Sequence, residues 1–348
     1  MRAPAVRGPG TLCVLLAAVL WGTTGTAATF APDVGPLAIG AVAMGLGGLL
    51  QALVAAPHLR RAAPALRARR GVVLLGALSV AVYPLAFYSS MHLAGVATGT
   101  VVTIGSAPLA SALVERIMDG RRLTRRWTAG AALGLTGTVL LCAAEAAQTS
   151  AQTSAHASVH ASVHASPHTL AATTPVTDAT SPTATVLGVA LGLLAGLTYA
   201  LYSWAAHRLI SRGTGSAAAM GAVFGLGGLL LVPVLLATGA PLLDSWSNAA
   251  VGTYMALVPM FLGYVLFGWG LAHVPASTAT TLTLLEPAVA AVLAVAVVGE
   301  RLPPLGWAGV ALVVGCLVVL TAPAGRRKEP RGTETTAPGR RPVTERTH

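Results

Sequence analysis

The chain alternates long apolar runs with short polar or basic stretches. Ten runs, about 11–30, 36–56, 71–91, 97–115, 127–144, 185–205, 217–237, 248–271, 276–298 and 307–322, are almost free of charge. Each is near the roughly 20 residues that a helix needs to cross the hydrocarbon of a bilayer. A helix suits lipid because all its backbone hydrogen bonds are internal. The pattern therefore predicts an all-α integral membrane protein with ten transmembrane helices. The first run follows Arg2 and Arg7 and ends near Ala27-Ala28, so it imitates a secretory signal. It is expected to stay as a span, because its removal would leave nine spans and break the repeat described below.

Composition agrees with this reading. Only 9% of the 348 residues are Asp, Glu, Lys or Arg, against about 25% in soluble domains, and mean hydropathy is +0.72. The net charge of +11 would suggest an acidic partner in a soluble protein. Its distribution changes that meaning. With the N-terminus inside, 21 of the 22 basic residues fall in inside segments and only Arg301 lies outside, as expected when Lys and Arg are retained on the cytoplasmic side. A multi-pass plasma-membrane protein with both termini cytoplasmic is expected, with the lipid bilayer rather than nucleic acid as its partner. Cys13, Cys142 and Cys316 all lie in apolar runs. They read as buried thiols, not as a disulfide or metal framework.

The chain also repeats itself. Gly45-Leu46-Gly47-Gly48-Leu49-Leu50 in span 2 recurs as Gly225 to Leu230 in span 7, 180 residues later. Pro108 and Pro287 are 179 apart, as are Gly120-Arg121-Arg122-Leu123 and Gly299-Glu300-Arg301-Leu302, which share Gly, Arg and Leu. Ala129-Gly130 and Ala132-Leu133 match Ala308-Gly309 and Ala311-Leu312 in the same register. Five spans per half is an odd number, so the second half enters the membrane in the opposite sense. Such inverted repeats are common in secondary transporters. The expected units are a first five-helix repeat over 1–145, a linker over 146–184, a second repeat over 185–323 and a basic disordered cytoplasmic tail over 324–348. In the linker, His156, His160, His164 and His168 are spaced by four. On a helix they would stack and could bind a metal, but the interleaved Ser, Thr and Pro favour a disordered extracytoplasmic linker with no metal.

Taken together, Trp21-Gly22, Pro108, Leu285-Glu286-Pro287, Gly299-Glu300-Arg301-Leu302 and Gly309 resemble the EamA-type branch of the drug/metabolite transporter superfamily. The resemblance covers nearly the whole chain outside the linker and tails. It implies export or exchange of small metabolites, amino acids or drug-like compounds through a central cavity formed by both halves. One departure is visible: the family usually carries Gly-Glu-Arg after the fourth span too, where this chain has Gly120-Arg121-Arg122.

Of eleven acidic residues, Glu286 alone sits near the middle of a span. A charge at the bilayer centre costs about 2.5–3.5 kcal/mol on insertion scales, so such a group normally faces a cavity or is protonated and bonded. Pro287 should release the carbonyl of Thr283, bringing a carboxyl, the Thr283 hydroxyl and a free carbonyl together at mid-depth. Two readings of Glu286 stay open: a cavity group that titrates or pairs with a substrate amine, and a protonated group that fixes packing. Its repeat partner is Ala107, so the fold does not require an acid there. Pro108 and Pro287 are candidate kinks or hinges. Gly221 and Gly225, at GxxxG spacing, and Gly45 are expected to let helices approach closely. Trp21, Tyr88, Tyr199, Tyr202, Tyr264 and Trp269 are candidate cavity-wall aromatics, with ordinary packing as the alternative for each. His92 and His273 read as interfacial.

The expected partners are a small-molecule substrate and protons as the candidate coupling ion; no cofactor is expected, and oligomeric state is not legible. There is no Walker-type Gly-Lys-Ser/Thr, so a gradient would drive transport. The alternatives are a channel or non-transporting scaffold, and an enzyme acting on lipid-linked substrates. One isolated Glu lacks the acid–base or nucleophile cluster that enzymatic chemistry needs.

Overall fold

The computed structural model describes residues 8–163, 182–299 and 301–322. Among them lie ten apolar helices long enough to cross a bilayer, and no strand. They are α1 (Pro9–Ala28), α2 (Pro36–Val54), α3 (Arg70–Ala94), α4 (Thr98–Asp119), α5 (Arg125–Ala144), α6 (Pro182–Ser211), α7 (Ser216–Thr238), α8 (Trp246–Leu271), α9 (Ala276–Val297) and α10 (Pro304–Thr321). Each coincides with one expected run to within a few residues. Large aliphatic side chains such as Leu12, Leu74, Leu78, Leu229 and Val318 stand on the outside of the bundle, as a hydrocarbon solvent permits.

One expected boundary needs correction. The helix that begins at Arg125 continues as far as Val163, so the backbone is helical over 146–163, within the segment expected to be an irregular linker. The local reason is a sequence rich in Ala, with no Pro or Gly between Gly137 and Pro167 to end it. His156 and His160 fall on that helix, one turn apart, whereas His164 and His168 lie outside the described residues, as does the basic tail from 324.

Helix pairing follows the repeat. α2 packs on α7, α4 on α9 and α5 on α10, so these three spans each meet their own repeat counterpart. α3 packs on α6 and α8 on α1, and α4 packs on α6 as α9 does on α1. These are the pairs that an exchange of the two halves would produce. Small residues make the self-pairs close. A Cβ on Gly137 would lie 2.7 Å from the Gly309 carbonyl oxygen, and one on Gly309 would lie 2.7 Å from that of Gly137.

In the repeated Gly-Leu-Gly-Gly motif, a Cβ on Gly228 would stand 2.6 Å from the Gly45 carbonyl, and one on Gly48 would strike the Phe224 carbonyl. Gly221 and Gly225 abut Ala55 and Ala52, as expected of packing glycines. Gly45 is roomier, with its nearest neighbour at 3.5 Å; its carbonyl rather than its missing side chain makes the contact. At the ends of α4 and α9, Gly120 and Gly299 both adopt left-handed backbone, φ 67° and 81°, where a side chain would be strained. The Gly-Arg-Leu repeat is therefore also a repeated turn.

Candidate functional site

The bundle has two unlike ends. One carries the connections around 55–69, 120–124, 212–215 and 272–275, and with them most of the described arginines. The other carries the connections around 29–35, 95, 239–245 and 299–303, where Arg301 is the arginine among the described residues.

A cavity of about 540 Å³ lies toward the arginine-poor end. Its rim comes from Thr26 near the end of α1, Thr29, Pro32 and Val34 after it, Met91 near the end of α3 and Leu302 before α10. Its floor is formed by Trp21, Gly22, Tyr88, Glu286 and Pro287, and Thr24 and Thr100 add hydroxyls. Among the described residues the lining contains no Arg, Lys or His and no carboxylate besides Glu286. A second pocket of about 40 Å³ continues inward, between Trp21, Tyr83, Tyr88, Tyr199, Tyr264 and the same Glu286. Glu286 thus stands where the two spaces meet.

The break in α9 places it there. Helical backbone ends at Leu282 and resumes at Leu285. Across the gap the bonds tighten to three-residue spacing, Leu284 N–H to the Thr281 carbonyl at 3.2 Å and Glu286 N–H to the Thr283 carbonyl at 2.9 Å. This corrects an expectation: Pro287 cannot donate to Thr283, but the freed carbonyl is taken by Glu286 one residue earlier and is not open to a ligand. The Thr283 hydroxyl is also committed, lying 2.9 Å from the Thr280 carbonyl and 2.9 Å from the Tyr199 hydroxyl. A hydroxyl has one proton, so when Thr283 donates to Thr280 it is Tyr199 that donates to Thr283. Thr283 therefore anchors α9 to α6 and is absent from the cavity wall. The Glu286 carboxyl makes no hydrogen bond or ion pair among the described residues.

Behind the floor is an aromatic cluster. Trp21 donates its indole N–H to the Pro259 carbonyl at 2.9 Å, and its ring lies 4.8 Å from Tyr264 and 5.3 Å from Phe267. Tyr202 and Tyr264 share a hydrogen bond of 2.8 Å, and Tyr199 stacks on Tyr202 at 5.2 Å. Trp21, Tyr88, Tyr199 and Tyr264 line one or both spaces, while Tyr202 supports them from the core without reaching either.

Trp269 is a correction. It is 43% exposed and its ring meets His273 at 4.6 Å. Five helical positions from Tyr264, it points well away from the face that carries Tyr264 and Phe267. Two wall aromatics were not anticipated, Tyr83 and Phe87, stacked at 5.8 Å. Their spacing of four on α3, with Phe87 next to Tyr88, is the signal that could have found them.

At the arginine-rich end Glu115, 2% exposed, accepts from the Ser277 backbone N–H at 3.2 Å and from its hydroxyl at 2.7 Å. Trp127 donates to the Ser277 carbonyl at 3.2 Å. Asp119 receives Trp204 at 2.8 Å and pairs with Arg208, and Arg126 binds the carbonyls of Val319, Leu320 and Ala322 at the end of α10.

Comparison with known proteins agrees with this architecture. A solved crystal structure superposes with a TM-score of 0.66 at 20% identity, over 90% of this chain and 96% of the other; this shows the fold. The chain is 30% identical to the uncharacterized transporter YwfM of Bacillus subtilis (strain 168), over 90% of this chain and 94% of that protein. It is 27% identical to a probable terminal-alkyne amino-acid exporter of Streptantibioticus cattleyicolor, over 94% and 99% of the respective chains. The EamA-like transporter family matches residues 8–143 and 186–322, one match on each five-helix half. These matches make the chain a transporter and not an enzyme, and it belongs to the EamA-like transporter family.

Proposed function

We propose that the protein is a secondary transporter that exports a small metabolite with one basic amine and an apolar body, by alternating access, across the plasma membrane. The observation that carries the reading is the cavity of about 540 Å³ whose charge is a single carboxyl, at Glu286, set among aromatic and aliphatic walls. An ammonium group seated on that carboxylate forms a charge-assisted bond in a poorly hydrated place, and Trp21 and Tyr88 offer ring faces to a cation or an apolar body. Among the described lining residues an anion would find no cation.

Orientation follows from the arginines. The arginine-rich end is cytoplasmic by the positive-inside rule, both termini are cytoplasmic, and the described conformation is open outward. Two five-span halves enter the membrane in opposite senses, and exchanging their conformations would close the outer cavity and open an inner one. Pro287, beside the break in α9, is the hinge of that change; in α4 the helix runs unbroken through Pro108, which then serves as a rigid counterpart. A proton and an amine compete for Glu286, which is the simplest basis for proton-coupled antiport. The bonds that join Glu115 and Trp127 to Ser277 across the two halves at the arginine-rich end argue against a permanently open channel.

The test is tracer flux in proteoliposomes against a panel of primary amines and their N-acetylated, uncharged analogues, with and without a pH gradient. The reading expects saturable flux of amines, stimulated by the gradient, and little for the analogues. Equal flux of both, or flux insensitive to Glu286→Gln, would contradict it.

A further inference from the structure

We propose that Glu115 and Ser277 form a latch that holds the cytoplasmic end shut, and that the repeat-equivalent positions at the other end form no matching latch, so the resting state is outward-open. The proposal rests on the transport reading above for its meaning, and on geometry for its content.

The latch joins the two halves. Glu115 is at the end of α4 in the first, Ser277 at the start of α9 in the second, and they are 162 positions apart in sequence. Both carboxylate oxygens are used, one on the Ser277 N–H and one on its hydroxyl. Arg121 stands 3.8 Å from the same carboxylate, and Trp127, at the start of α5, holds the Ser277 carbonyl. Glu115 is almost wholly removed from solvent. A carboxylate so placed cannot lose its donors without exposure to water or a new partner, so these bonds must break together when this end opens. That gives an all-or-none closure instead of a gradual one.

The repeat provides the comparison. At the offset of 179 that relates Pro108 to Pro287, Glu115 corresponds to Ala294, Ser277 to Thr98 and Trp127 to Gly306. Ala294 lines the open cavity, as the counterpart of a closed gate should in the opposite half. When the exchange of halves closes the outer end, Ala294 would approach Thr98. A methyl group cannot accept the N–H or hydroxyl that Glu115 accepts, and Gly306 has no indole. The inward-open state therefore lacks the bonds that secure the outward-open one. For an exporter this asymmetry has a use: the cytoplasmic gate yields only when loading from that side supplies compensating contacts.

The experiment is electron–electron distance measurement on the full chain in nanodiscs, in a background with Cys13, Cys142 and Cys316 replaced by Ala. One spin-label pair at Arg122→Cys and Ala272→Cys spans the cytoplasmic end; a second at Phe30→Cys and Leu305→Cys spans the outer end. The unsubstituted latch should give one short cytoplasmic distance. Glu115→Ala and Ser277→Ala should each raise a longer-distance population about tenfold, with a matching contraction at the outer end. Ser277→Thr, which keeps both donors, should behave as the parent, and Ala294→Glu should favour outer closure.

Unchanged distances in folded Glu115→Ala protein would overturn the latch, as would a cytoplasmic widening without outer contraction, which reports loosened packing alone. Tracer flux measured on the same samples separates the two readings. A distance shift without flux of any compound sustains the latch and defeats the transport reading, and flux without a shift does the reverse.

Discussion

α4 and α9 are two versions of one helix, and they have placed their acids differently. At mid-depth α9 has Glu286-Pro287 where α4 has Ala107-Pro108, and eight residues later α4 has Glu115 where α9 has Ala294. The mid-depth acid accompanies a broken helix with a cavity beside it. The acid at the helix end is buried and bonded to the opposite half. The same proline has different effects in the two settings: α4 runs on to Asp119 unbroken, whereas α9 breaks just before Pro287. A duplicated scaffold can thus keep its packing symmetric while placing a cavity acid in one half and a buried acid bonded to the opposite half in the other.

Five substitutions test that division, taken from the largest effect to the smallest. Glu286→Gln keeps volume and removes charge, so amine flux in proteoliposomes should fall about 100-fold, consistent with the loss of a charge-assisted bond, with thermal stability held or raised. Ala107→Glu puts a second acid at the equivalent depth of α4, where Ala107 is fully buried and lines neither of the two spaces. It should destabilise the protein by about 3 kcal/mol or more, read as lower yield and a lower melting temperature in detergent. Gly48→Ala drives a methyl into the Phe224 carbonyl and should cost about 1–3 kcal/mol, whereas Gly45→Ala, with room of 3.5 Å, should be nearly silent by the same melting assay. Trp269→Ala, on the lipid side, should leave amine flux within about twofold of the parent, since it removes no cavity contact.

The spans were readable from the sequence because lipid imposes length and apolarity on every crossing segment. The repeat was readable because its packing glycines and its turn glycines, Gly120 and Gly299, are conformationally hard to replace. Glu286 stood out because a mid-span charge is costly. What could not be read depended on partners distant in the chain or on backbone detail. Glu115 looked like one more span-end acid; its role appears only when α9 is folded against it. The Thr283 carbonyl was expected to be free because a proline removes a donor, but a shift to tighter turns satisfied it locally. Trp269 and Tyr264 are alike in sequence context, and helical phase alone separates the lipid-facing ring from the wall. Helix beyond Ala144 was hidden by a composition that local propensity permits and low complexity disguises.

The central claim is that one carboxyl, at Glu286, carries the cargo through a cavity shared by both halves. Paired flux measurements on wild type and Glu286→Gln, with a primary amine and its N-acetyl analogue over pH 6 to 8, test it most directly. The account predicts amine flux that varies with pH and with the imposed gradient in the wild type, flux about 100-fold lower and independent of pH in the variant, and no measurable preference for the analogue in either. Wild-type rates in a well-folded Glu286→Gln protein, with the same pH dependence, would contradict it.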